Sequence, residues 1–197
     1  MELISTAIPD VKLVRLDVFE DERGLFFEAY DARKFRVLGL MDSFVQDSCS
    51  LSKCVGTVRG LHFQSPPHAQ KKLVRVTSGR VLDIIVDIRI GSATYGNYVA
   101  IELSAAAPTS VFVPIGFAHG FCTLEDNSEV TYKMSDHYVP ESYHGLNWAD
   151  PQLGIPWPVS RDRAILSAQD RGHPFLADLQ TPFVLGATDS SIEYSPR

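Results

Sequence analysis

The chain has 197 residues, 45% of them hydrophobic and 21% charged, which allows a sizeable core and excludes a disordered polypeptide. A net charge of -6 argues against a nucleic-acid backbone or an anionic membrane as principal partner, though not against a local basic pocket for a phosphorylated small molecule. Cys49, Cys54 and Cys122 form no CxxC pair and read as reduced thiols. With no basic-then-apolar leader and no run that could cross a bilayer, a cytoplasmic protein is expected.

In chain order, residues 11–19 alternate loosely and reach the charged turn Glu20-Asp21-Glu22-Arg23-Gly24. Residues 25–30 then resume as a strand, so an N-terminal hairpin is predicted. Asp31 as N-cap, Phe35 and Leu38 at helical spacing and Gly39 as a stop predict a short helix. From Phe44 to Met134 strand follows strand with no helical pattern, which indicates a sandwich or barrel, most simply a jelly roll. In residues 80–89 the alternation puts Leu82, Ile84, Val86 and Ile88 on one face. Asp83, Asp87 and Arg89 fall on the other, as in a half-buried strand. Beyond Tyr138, Pro140, Pro151, Pro156 and Pro158 with Trp148 and Trp157 predict an irregular segment packed over the barrel without joining it. One domain is expected over residues 1–180, with a loosely held tail over 181–197.

The chemistry gathers in the stretch Val58-Arg59-Gly60-Leu61-His62-Phe63-Gln64 and the following Gln70 to Val76, which place a guanidinium, an imidazole and an ammonium on strand-like residues. Each alone suits a solvated strand face. Together with His119 in the aromatic run 116–121, they suit a pocket in which negative charge develops on oxygen. Gly60 stands where a bulge or a close approach of strands is plausible. The histidines lack ligand spacing along the strands, so no metal site is expected. No nucleophile elbow, phosphate loop or dinucleotide fingerprint is present either. What remains is acid–base chemistry without a cofactor, with His62 a candidate base, Tyr132 a candidate acid, and Lys72 and His119 candidate oxyanion stabilisers.

These residues, with Asp21-Glu22-Arg23-Gly24, Gln46-Asp47-Ser48, Val86-Asp87-Ile88-Arg89, Tyr132-Lys133, Trp148-Ala149-Asp150-Pro151 and Ser167-Ala168-Gln169-Asp170, resemble in order the dTDP-4-dehydrorhamnose 3,5-epimerases. The resemblance runs to about residue 175. It implies an all-β, cupin-type jelly roll and a homodimer that exchanges N-terminal strands. The implied substrate is a nucleotide-linked 4-keto-6-deoxyhexose, epimerised at C3 and C5 without a cofactor. It further implies His62 as base, Asp170 as its orienting carboxylate, Tyr132 as acid on the opposite face of the sugar, and Lys72 beside the C4 oxygen with His119 and Arg59 near it. Arg23, Glu28, Gln46 and Ser48 match nucleotide-sugar contacts, and Phe26 and Tyr138 match positions that flank the base. Where the family commonly has Asn, Gly, Glu and Lys, this chain has Ser48, Lys71, Tyr143 and Gln169. Tyr143 falls near the diphosphate. These departures bear on nucleotide choice and on the number of centres inverted. A single-centre epimerase is thus the alternative; a non-catalytic sugar-binding cupin and a metal-dependent cupin enzyme stand further off.

Overall fold

The computed structural model describes residues 1–40 and 43–186. In chain order its elements are β1 (Glu2–Ser5), β2 (Lys12–Arg15), β3 (Val18–Asp21), β4 (Gly24–Phe27), α1 (Ala32–Val37), β5 (Gln46–Ser52), β6 (Val58–Gln64) and β7 (Lys72–Ser78). There follow β8 (Arg80–Asp87), β9 (Tyr98–Ser104), β10 (Thr109–Val113), β11 (Phe117–Thr123), β12 (Ser128–Met134), β13 (Tyr143–Gly145) and α2 (Ala168–Arg171). Two antiparallel sheets face each other, one ordered β1-β2-β10-β7-β12-β5 and the other β13-β6-β11-β8-β9. Strands β5 to β12 close the jelly roll that the strand-rich sequence predicts.

Between the sheets lies an apolar core that includes Val74, Val76, Val81, Ile85, Val111, Phe117, Phe121 and Val130. Each such side chain stabilises the fold by roughly 1.5–3 kcal/mol through removal from water. A second layer covers the outer face of the β6-β11-β8 region, where Ile84, Val86 and Ile88 pack against Leu146, Leu153, Leu176 and Phe183 of the proline-rich segment. That cover corrects the expectation for β8. Asp83 and Asp87 do not face solvent; both are 0% exposed, because the face shared with Val81 and Ile85 points between the sheets. Asp87 takes hydrogen bonds from Arg89, Ser92 and Thr94 and so pins the turn into β9. Burial alone would raise its pKa, but these bonds outweigh it and hold the carboxyl down at about 2.

The predicted helix is α1, with the Asp31 carboxylate accepting from the amides of Arg33 and Lys34. Its Phe35 packs with Val14, Leu16, Leu73 and Phe112 on the outer face of the six-stranded sheet. The N-terminal hairpin exists as β3 paired with β4, and Gly24 takes the positive φ, +121°, that closes it. Its first arm is shorter than expected. Residues 12–15 leave it to pair with β10, and Leu16 bonds to Pro108.

The proline-rich segment also departs from expectation by joining the sheet. Tyr143, His144 and Gly145 pair with Gln64, Phe63 and His62, and Ile165 bridges Thr57 in parallel. The expected tail boundary at 180 precedes a further attachment: Thr181 donates to the Ile88 carbonyl at 2.7 Å and Val184 bridges Ile90. The remainder of that tail, from residue 187, lies outside the described residues.

Candidate active site

A bulge sets the site. His119 of β11 pairs with His62 of β6 and Phe121 with Arg59, so β6 advances three residues while β11 advances two. The extra residue changes the phase of β6. Arg59 and His62, which an unbroken strand would send to opposite faces, both line one cavity. Gly60 makes this possible. Its φ is +116°, and a Cβ there would lie 2.6 Å from the Gly120 Cα and 2.8 Å from the His119 carbonyl oxygen.

The cavity, about 460 Å³, opens between the two sheets and is walled by β5, β6, β7, β11 and β12. Ten of the residues singled out in the sequence line it: His62, Tyr132, Lys72, Asp170, Gln46, Ser48, Arg59, His119, Tyr138 and Tyr143. Arg23, Phe26 and Glu28 do not. Arg23 pairs with Asp21, Glu28 with Lys34, and Phe26 is 65% exposed on the hairpin.

On the β6 wall, His62 Nε2 lies 2.5 Å from Asp170 Oδ1. Asp170 is carried by α2, whose N-cap Ser167 accepts from the Asp170 amide at 3.0 Å. Burial alone would raise the Asp170 pKa, but the nearby His173 and His62 and the Ser167 hydroxyl prevail and keep it ionised. For His62, burial lowers the pKa against the opposing pull of Asp170, so the ring is neutral near pH 7. The carboxylate accepts from Nε2–H, which leaves Nδ1 with the lone pair that a base needs. The Tyr143 ring packs on His62 with centroids 4.9 Å apart.

On the β12 wall, Tyr132 shares a 2.9 Å hydrogen bond with Ser50, and burial raises its pKa so that the phenol keeps its proton. Lys72 sits at the start of β7 with its ammonium 3.5 Å from the His62 carbonyl oxygen. Burial lowers its pKa to about 8, partly opposed by the charge of Asp83. Behind it His119, itself buried, holds a 2.8 Å contact to Asp83. At the mouth, Gln46 and Gln64 accept from the amides of Tyr138 and Val139 and fix that loop.

Asp83, Ser50 and His173 were not among the sequence candidates. The alternation Gln46, Ser48, Ser50, Ser52 was a usable signal for Ser50, since these share one face of β5. Asp83 had none, because nothing local tells that both faces of β8 are covered. His173 lies beyond α2 with Nε2 3.6 Å from Asp170 Oδ1. The metal-ligand spacing missing along the strands is thus met in space by His62, Asp170 and His173, whose donor atoms lie within 4.8 Å of one another.

A neutral imidazole fixed by a carboxylate on one wall, a protonated phenol on the other and an ammonium between the sheets give this jelly roll the groups that acid–base chemistry at a carbon needs, the class of a jelly-roll isomerase. Residues 5–178 match the family described as dTDP-4-dehydrorhamnose 3,5-epimerase. The dTDP-4-dehydrorhamnose 3,5-epimerase of Salmonella typhimurium is 46% identical over 177 residues, covering 89% of this chain and 96% of that protein. The crystal structure of the Bacillus anthracis enzyme with TDP and PPi bound superposes with a TM-score of 0.86 at 44% identity, covering 88% of this chain and 98% of that one. The Legionella pneumophila epimerase in complex with dTDP-4-keto-L-rhamnose also gives 0.86, at 40% identity, covering 90% and 94%. The chain belongs to the dTDP-4-dehydrorhamnose 3,5-epimerase family, and is an epimerase. No helix among the described residues is long and apolar enough to cross a membrane.

Proposed function

We propose that the chain converts dTDP-4-dehydro-6-deoxy-D-glucose to dTDP-4-dehydro-L-rhamnose by inverting C3 and C5, with no metal or organic cofactor. The C4 ketone acidifies the hydrogens on both neighbouring carbons. His62 Nδ1 removes one, Asp170 stabilises the imidazolium, and the C–H electron pair moves onto the C4 oxygen as an enolate. Lys72 donates to that oxygen, with His119 and Arg59 adding positive character around it. Tyr132 then protonates the same carbon from the other face, and its phenolate and the imidazolium are reset through Ser50 and solvent before the second carbon reacts.

The observation that carries this reading is the division of the cavity, with the His62–Asp170 pair on β6 and the Tyr132–Ser50 pair on β12. Gln46, Ser48, Tyr138 and Tyr143 would receive the nucleotide and diphosphate. Arg23, Phe26 and Glu28 would reach the pocket of a second copy, and the cross-strand pair Phe19 and Phe26 gives one face of the hairpin an exposed apolar patch that a homodimer would cover. The expected setting is the cytoplasm. The test is a proton spectrum of the product formed from the 4-keto-6-deoxyglucose nucleotide in heavy water. Inversion with deuterium at both C3 and C5 supports the reading; inversion at one centre restricts it to a single-centre epimerase, and no turnover overturns it.

A further inference from the structure

His173 has no task in the reaction above, yet its environment is built. Gly172 ends α2, and Asn147 then holds the following chain through the His173 and Pro174 carbonyls, at 3.1 and 2.8 Å. The ring lies over Gly145, where a Cβ would come within 2.3 Å of its Cδ2 and Nε2; only glycine leaves room for it. The side chain is 10% exposed, and its Nε2 is buried with no hydrogen-bond partner. A buried polar atom left unpaired is costly, so a ligand that satisfies it gains what an already satisfied site would not give.

The partner it faces is Asp170 Oδ1, 3.6 Å away, which is too far for a hydrogen bond but close to the edge of a metal's coordination shell. Tetrahedral zinc with bonds of about 2.0–2.1 Å separates its ligand atoms by roughly 3.3 Å. The His62–Asp170 contact of 2.5 Å would open by about 0.8 Å to reach that spacing, and the third edge, within 4.8 Å, would close toward it as the two rings turn onto the ion. Two imidazole nitrogens and one carboxylate oxygen suit zinc, while the cavity beside His62 supplies the fourth position.

We propose that His62, Asp170 and His173 form a site for one zinc-class dication and that its occupation switches the epimerase off. The inhibitory half rests on the reading of His62 as the base. Coordination through Nε2 moves the ring proton to Nδ1, so the lone pair that abstracts the substrate's proton is lost while Asp170 is engaged by the ion. No bond of the substrate changes and no electron is transferred.

The test is calorimetric titration of untagged, metal-free protein with Zn2+ alone, in a Cys49→Ser/Cys54→Ser background that removes the two exposed thiols. Turnover is followed in parallel. One ion per chain should bind at micromolar concentration, with loss of turnover that a chelator reverses. His173→Ala and the aromatic but non-ligating His173→Phe should each weaken binding at least about tenfold, with folding checked by circular dichroism. Absence of saturable binding at one ion per chain, or equal affinity in both His173 variants, overturns the metal site and leaves the epimerase reading standing. Saturable, His173-dependent binding with undiminished turnover overturns the inhibitory half and the base role of His62 with it.

Discussion

Lys72 shows how burial turns an ordinary side chain into a reagent. A surface ammonium stabilises little in water, whereas at the start of β7, between two walls, the enolate of the proposed reaction would meet it with few competing dipoles. Replacing Lys72 by Met should lower kcat by roughly two to three orders of magnitude with a smaller change in KM, because the charge on the C4 oxygen is absent from the bound ketone and develops only on the way to the enolate. Steady-state kinetics decide this, and near-normal turnover would remove Lys72 from the reaction. The pH profile follows from the same groups. His62 must be neutral, and burial holds its pKa below the usual 6.5, so kcat/KM should fall only on the acid side of that value. Lys72 must be charged, so activity should decline above about pH 8. A profile flat from pH 7 to 10 would contradict the alkaline assignment.

Strand β6 carries the argument at the next scale. Its chemistry was legible in the sequence because Arg59, Gly60 and His62 are unusual together in a strand, and the possible bulge could be read from Gly60. Its consequence could not: only the register against β11 shows that one extra residue brings Arg59 and His62 to a common face. Capping made α1 legible from Asp31 and Gly39. Asp83 and Asp87 were misplaced because alternation reveals that a strand has two faces, not which of them is wet: their face turns inward onto the other sheet, and the face of Ile84, Val86 and Ile88 is covered by the distant proline-rich segment. Three-residue β13 was too short for periodicity to register. Gly60→Ala should therefore cost roughly 1–3 kcal/mol in urea unfolding from backbone strain, and more where the Cβ forces β6 off β11. It should also depress kcat through both Arg59 and His62. An Ala variant with native stability and turnover would show that the bulge is dispensable.

For the whole molecule, the hairpin is the part a single chain leaves unexplained. Phe19 and Phe26 are 63% and 65% exposed, and Arg23 and Glu28 lie outside the cavity to which the family resemblance assigns them. A dimer that exchanges hairpins makes one sharp demand. Co-refolding a His62→Asn chain with an Arg23→Ala/Phe26→Ala chain, each inactive alone, should restore about a quarter of the activity, since half the dimers then hold one intact site. No gain over the separate variants would place each site within one chain. The central claim, that His62 and Tyr132 act from opposite walls, is tested most directly by deuterium incorporation at C3 and C5 in heavy water. The His62→Asn variant should lose exchange at both carbons by roughly a hundred- to ten-thousand-fold. The Tyr132→Phe variant should still exchange at one carbon or more while inverted product, above all at C5, falls sharply. Full-rate exchange without His62, or normal inversion of both centres without Tyr132, would contradict the account.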